Sequence, residues 1–304
     1  MSFIDENKQR FGGVEPICRV MREHGWKIAP STYWAVKRRP ASPRQVRDQW
    51  LTEQIVRVHG QHLGVYGVRK LWRQLGREGI TVARCTVERL MRAAGLRGAV
   101  RGKKIRTTIA DAAHLRAADL VKREFSAVAP DRCWVADFTH VAAWSGVVYV
   151  AFVVDIYSRA VVGWSAAMSK ETSLVLAALE MGLWRRDRDG QPARAGLIHH
   201  SDAGSQYTSF KFATHLADAG IAASIGTVGD ALDNALMEST IGLYKTEVIK
   251  RCGPWKTLAQ VELATAEWID WYNNARLHSA IGYLPPAEHE AAFYAQPQPQ
   301  PVAV

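Results

Sequence analysis

Trp134-Val-Ala-Asp-Phe-Thr-His-Val141 and, a few residues on, Val147-Val-Tyr-Val-Ala-Phe-Val-Val-Asp155 decide the fold. The first stretch alternates, with Val135, Asp137, Thr139 and Val141 on one face, which is the period of a strand. The second is an almost unbroken apolar run, as in a strand covered on both sides. After the turn Asp155-Ile-Tyr-Ser-Arg159, a third strand is expected over residues 160–166. Helix and strand then alternate: helices over 173–186 and 209–219, short strands over 196–200 and 221–225, and long helices over 234–250 and 258–275. Three successive strands followed by that alternation predict an α/β fold, a mixed five-stranded sheet with helices on both faces.

Upstream the pattern is helical throughout. Residues 1–42 read as short helices: Ile17, Val20 and Met21 make one apolar face, and Ser31 is expected to cap a second helix after the Gly25–Pro30 break. That pair suits either a helix-turn-helix or ordinary helical packing. Residues 43–98 suggest a helix-turn-helix module, with helices over 45–59, 67–79 and 83–94. In the last of these Val87, Leu90 and Met91 face inward, leaving Arg84, Thr86, Arg89 and Arg92 outside. Such a face suits a reader of the DNA major groove, although a solvated basic face would look the same. Residues 99–130 read as a basic connector with a helix over 112–124. The cluster of Arg97, Arg101, Lys103, Lys104 and Arg106 around its start either tracks phosphates or is a charged linker. Residues 131–290 form the sheet-containing part, and the Gln-Pro-rich residues 291–304 are expected to be a disordered tail.

Charge follows the same division. Of 39 lysines and arginines and 29 acids, residues 1–130 hold a net +15 and residues 131–304 a net −5. A basic front half suits a polyanion, whose counterions are released on binding. The four cysteines, Cys18, Cys85, Cys133 and Cys252, are scattered, which argues against a zinc site or a disulfide framework and for reduced core residues. No apolar run is long enough to span a membrane, so the expectation is a cytoplasmic, nucleoid-associated protein with no membrane partner.

Three acids stand in distinctive contexts: Asp137 mid-strand, Asp202 at the mouth of a strand in Ser201-Asp-Ala-Gly-Ser-Gln-Tyr207, and Glu238 in an early helical turn. Buried carboxylates are costly unless positive charge compensates them. Three of them together make a hard oxygen site suited to magnesium or manganese, and a metal pair of that kind serves phosphoryl transfer on nucleic acid. Lys245, seven residues after Glu238, shares its helical face about 10 Å along the axis. Asn234, one turn earlier, is on that face too. Both are candidate DNA contacts.

These stretches, together with Asp230-Ala-Leu-Asp-Asn-Ala-Leu-Met-Glu-Ser239 and Trp271-Tyr-Asn-Asn-Ala-Arg-Leu-His-Ser-Ala-Ile-Gly-Tyr283, resemble the catalytic second-frame (OrfB-type) product of two-frame bacterial insertion sequences. The cores of that family are similar to retroviral integrase, and the likeness spans roughly residues 3–290. The resemblance implies a ribonuclease-H-like fold, the Asp-Asp-Glu triad on Asp137, Asp202 and Glu238, and Lys245 as the basic residue two turns beyond. It implies a DNA transposase that cleaves and rejoins strands with two Mg²⁺ or Mn²⁺ ions, acting on insertion-sequence ends and target DNA as a homo-oligomer. The family's first-frame product carries a leucine zipper and the main end-recognition module. No sustained leucine heptad occurs here, so a partner or frameshift fusion of that kind is implied. Two other readings remain at this point: a non-catalytic DNA-binding regulator derived from a transposase, and a nuclease acting on RNA–DNA hybrids.

His140, His199 and His200 are either proton carriers near the site or packed strand-end residues. Arg276 and His278 are either phosphate contacts or, for Arg276, charge compensation at a helix end.

Overall fold

The computed structural model describes residues 1–102, 127–191, 196–202, 206–225 and 235–296. Two compact units divide at Gln54 and Ile55. In the first, α1 (Ser2–Asn7), α2 (Val14–Glu23) and α3 (Pro30–Arg38) gather Ile4, Val14, Ile17, Cys18 and Tyr33 into a small core. Asp5 ties α1 to α3, accepting from the Tyr33 hydroxyl at 2.7 Å and from Lys37 at 2.6 Å. Ser31 is not the cap that the sequence suggested. Pro30 opens α3, its fixed φ already helical and its missing N–H no loss there, and Ala29 takes the capping position. A long helix, α4, spans Pro43–Gln61.

The second unit begins with a helical module. α5 (Val68–Arg77) and α6 (Arg84–Ala93) pack on each other through Leu71, Leu75, Val87, Leu90 and Met91, all buried, and the Trp72 indole donates to the Val82 carbonyl at 2.9 Å. The module is fastened to the C-terminal helices. The Leu277 amide donates to the Tyr66 hydroxyl at 2.8 Å, and Arg77 grips both oxygens of Glu288 at 2.6 and 2.7 Å.

The sheet follows, with β1 (Cys133–Ala143), β2 (Gly146–Asp155), β3 (Val161–Ala167), β4 (Ile198–Ser201) and β5 (Ala222–Ile225). Its order is β3-β2-β1-β4-β5; β1 is antiparallel to β2 and parallel to β4. This is the mixed five-stranded sheet expected. One face is covered by α7 (Thr172–Arg188) and α8 (Phe210–Asp218), over a core of Trp134, Ala136, Ala151, Val153, Leu179 and Phe212. Gly163 lets α7 press onto β3: a Cβ there would stand 2.0 Å from the Ala178 carbonyl oxygen. The opposite face is closed by α9 (Ala235–Tyr244) and, after a π-helical turn (Lys245–Ile249) and the short α10 (Lys250–Cys252), by α11 (Leu258–Asn274). Phe152 meets the rings of Tyr244 and Trp268 on that side.

The sequence suggested one helix over 234–250; Lys245–Ile249 are instead the π turn, for reasons given below. A closing helix, α12 (Pro286–Tyr294), was not anticipated, and it makes residues 291–294 helical rather than tail. It is held by Arg186, buried between Asp131 (2.9 Å) and Glu290. All four cysteines are free thiols. Cys18 and Cys133 are buried as expected, whereas Cys85 and Cys252 are exposed. The suggested helix over 112–124 and residues 297–304 lie outside the described residues. Among the described residues, no helix is long and apolar enough to cross a membrane.

Candidate active site

The sheet places two of the three acids side by side. Ala136 is opposite Ser201 on the last rung of the parallel β1–β4 pair, so Asp137 and Asp202 are the next residues along neighbouring strands. Adjacent strands are about 4.8 Å apart. β4 ends at this point, and strand ends of this kind are where open α/β sheets carry their ligands. Across the antiparallel pair Asp137 faces Phe152, which puts it on the side covered by α9, and α9 packs against β1. Glu238 lies in the first turn of α9, half-buried.

The electrostatics reflect this convergence. Burial, together with the charges of Asp202 and Glu238, pushes the Asp137 carboxyl up to about 8; the Phe138 amide, donating to Oδ1 at 2.7 Å, and Lys245 work the other way. Lys245 is held below the usual lysine range by burial and by Lys250, with Asp137 opposing the shift. The four side chains therefore share one local field. Among the described residues, however, no three His, Cys, Asp or Glu side chains are close enough to make a ready cation site. Chemically, the set is three carboxylates and an ammonium, a hard oxygen donor group with one cation beside it.

Tyr207, which the sequence reading passed over, packs among Phe138, His199 and Phe212 at the end of the small-residue run after Asp202. Its hydroxyl is buried with no hydrogen-bond partner among the described residues, and it is held in its protonated form by burial and by the charges of Asp137 and Asp202. The available signal was an aromatic residue closing the small-residue run after Asp202.

The remaining candidates divide. Asn234 lies outside the described residues. On α6, Arg84, Arg89 and Arg92 are exposed and Thr86 half-buried, so the outward face is as expected, with Arg92 paired to Glu88 at 3.2 Å. His199 packs edge-on against Phe212, and burial lowers its pKa to about 4; His200 meets the Ser224 hydroxyl at 2.9 Å. Both are packed residues. His140 is exposed. Arg276 is no phosphate contact: it is buried and paired with Glu247, its guanidinium over the rings of Trp271 and Tyr272 in the last turn of α11. His278 is buried as well, bonded to the Tyr272 carbonyl, with its pKa pushed down to about 2 by burial and then by Arg276. A group so placed is no phosphate contact.

Comparison with known proteins agrees with this architecture. Residues 127–231 and 219–286 match two integrase core domain families, and residues 45–104 match an HTH-like domain. The chain is 55% identical over 271 residues to the protein of insertion sequence element IS986/IS6110 from Mycobacterium tuberculosis, covering 89% of this chain and 98% of that one. It is 50% identical over 300 residues to the transposase for insertion sequence element IS629 from Shigella sonnei, covering 97% of each. A more distant relative, the transposase for IS904 from Lactococcus lactis, is 32% identical over 83% of this chain and 98% of its own. Among solved structures, a simian T-cell lymphotropic virus intasome chain superposes with a TM-score of 0.47 at 16% identity, covering 82% of this chain and 79% of that one. The chain belongs to the insertion-sequence transposases, polynucleotidyl transferases built on an integrase core with a helix-turn-helix-like module in front.

Proposed function

We propose that Asp137, Asp202 and Glu238 are the catalytic and metal-holding residues of this transposase. The observation that carries the reading is the placement of Asp137 and Asp202 one step past the same parallel rung, with the Glu238 helix against β1 and the Asp137 carboxyl raised by burial and by both other acids. A carboxyl held near 8 ionises at neutral pH only beside compensating positive charge, and an all-oxygen donor set fits Mg²⁺ or Mn²⁺, two ions per site. Bound there, such ions supply neutralisation of the charge that builds up at the reacting phosphodiester. Glu238 would complete that donor set beside the two aspartates, and Lys245 and Asn234 would hold the adjoining strand. Arg84, Thr86, Arg89 and Arg92 on α6 enter the major groove, and the organisation into segments 1–42, 43–98, 99–130, 131–290 and 291–304 separates DNA reading from chemistry. Double-stranded DNA, both element ends and target, is the substrate. Joining two ends calls for at least two copies of the chain, with a first-frame product or fusion adding end selection.

The test is strand nicking of a duplex carrying the element's end, in magnesium or manganese. Asp137→Ala, Asp202→Ala and Glu238→Ala should each abolish nicking while duplex binding stays near normal. Full nicking by any one of them removes that residue from the triad.

A further inference from the structure

Gly242 is the unexplained residue of α9. A glycine inside a helix costs roughly 0.5–1 kcal/mol relative to alanine, so its place one turn after Glu238 calls for a reason. A Cβ there would stand 2.4 Å from the Arg101 guanidinium carbon and its Nη2. Arg101 occupies the notch that the missing side chain leaves, and its Nη2 donates to the Glu238 carbonyl at 2.9 Å. A bond to a neutral carbonyl leaves the guanidinium its full positive charge, and Arg101 is exposed to solvent. Beside it, the Lys250 ammonium approaches Gly102, and Lys250 follows Lys245 across the π turn, its amide donating to the Lys245 carbonyl. Arg101, Lys245 and Lys250 thus form a cationic track beginning at Glu238. One member of it, Arg101, comes from the last residues of the stretch that matches the HTH-like domain.

We propose that Arg101, seated in the Gly242 notch, binds a backbone phosphate of the DNA strand being cut, beside the scissile bond. This rests on Glu238 belonging to the active site. The chain leaving the DNA-reading module then also supplies a phosphate contact to the catalytic helix, so that binding of an element end and its presentation for cleavage share one residue. Guanidinium suits the task because its planar donors can hold the Glu238 carbonyl and a phosphate oxygen at once.

The experiment compares wild type with Arg101→Gln, Arg101→Lys and Gly242→Ala, using a duplex that carries the element's end. Affinity is measured without divalent metal over a range of salt, and nicking kinetics with manganese. Arg101→Gln should weaken binding about ten-fold and reduce the salt slope by about one phosphate contact. It should also raise KM for nicking more than it lowers kcat. Gly242→Ala, which expels the guanidinium, should reproduce these changes, and Arg101→Lys should recover the salt slope. An unchanged salt slope and KM in Arg101→Gln overturn the proposal. So does impairment in Gly242→Ala alone, which would mark the notch as packing only. Should wild type bind the duplex with the expected salt slope but fail to nick it in manganese, the catalytic reading fails while the Arg101 contact is still judged by binding.

Discussion

Glu247, in the π turn that follows α9, and Arg276 form a buried ion pair. Arg276 Nη2 is 2.6 Å from Glu247 Oε1, its Nε is 3.0–3.1 Å from both carboxylate oxygens, and the Trp268 indole donates to Oε2 at 3.1 Å. Glu247 belongs to the π turn, where the wider i→i+5 pattern turns its side chain inward to meet α11 and the residues after it. Removing one partner strands a charge away from water. Arg276→Met alone should therefore lower unfolding stability by about 3–5 kcal/mol, whereas Arg276→Met with Glu247→Leu should recover most of that loss. Urea unfolding of the three chains tests this, and a single variant as stable as wild type would show that the pair is not what holds the turn.

This pair also marks where the sequence stopped being legible. Alternation in Trp134-Val-Ala-Asp-Phe-Thr-His-Val gave the strand, its face and the position of Asp137, because a period of two is a local property. Arg276 has its partner 29 residues away, and nothing local distinguishes an arginine at a helix end that faces solvent from one folded inward. The π turn was hidden for a similar reason: it is stabilised by the Glu247 contacts, not by any periodicity of its own, so residues 234–250 read as one α-helix. α12 was obscured by Pro285-Pro286, which look like a stop but serve as N-cap and first helical residue. Asp202 and Glu238 could be named from their contexts, while their nearness to Asp137 depends on β4 pairing with β1 and on α9 packing over it.

Gly163 tests how closely the sheet and α7 are fitted. A methyl group at this position would fall 2.0 Å from the Ala178 carbonyl oxygen and 2.9 Å from the Gly182 nitrogen, both backbone atoms that cannot rotate away. Gly163→Ala should force α7 off β3 and lower stability by about 3 kcal/mol, at the upper end of usual overpacking costs. Gly79→Ala is a useful contrast, since nothing lies within 4 Å there and only its φ of +80° resists the change. Thermal melts showing Gly163→Ala to be no worse than Gly79→Ala would contradict the close fit.

Tyr207 should trade stability against activity. Its buried hydroxyl has no partner among the described residues, and an unsatisfied buried polar group costs about 1–3 kcal/mol. Tyr207→Phe keeps the ring contacts with His199 and Phe212 and removes that cost. The variant should unfold at higher urea than wild type and nick DNA more slowly, because the hydroxyl lies in the field of Asp137 and Asp202. A variant neither more stable nor slower would make the tyrosine a packing residue whose hydroxyl is incidental.

Acid sensitivity should come from histidines the fold keeps neutral. Burial lowers His199 and His62 to about 4 and His278 to about 2, all below the unfolded value of 6.5. A depressed folded pKa means that the unfolded chain takes up the proton first. The stability each histidine permits is thus fully present above about pH 6.5 and is lost as pH falls toward the folded value. Asp155, raised to about 6, and Asp137, raised to about 8, have the opposite sign and gain relative stability as they protonate over an overlapping range. The wild-type curve sums these opposing effects, so the informative quantity is the difference from a variant lacking one histidine. His199→Phe, which keeps the edge-on contact with Phe212, should match wild type near neutrality and gain on it below pH 6.5. The gain should approach about 1.4 kcal/mol per pH unit and level off near pH 4. Parallel stability curves for the two chains across that window would mean that His199 already takes up its proton in the folded state.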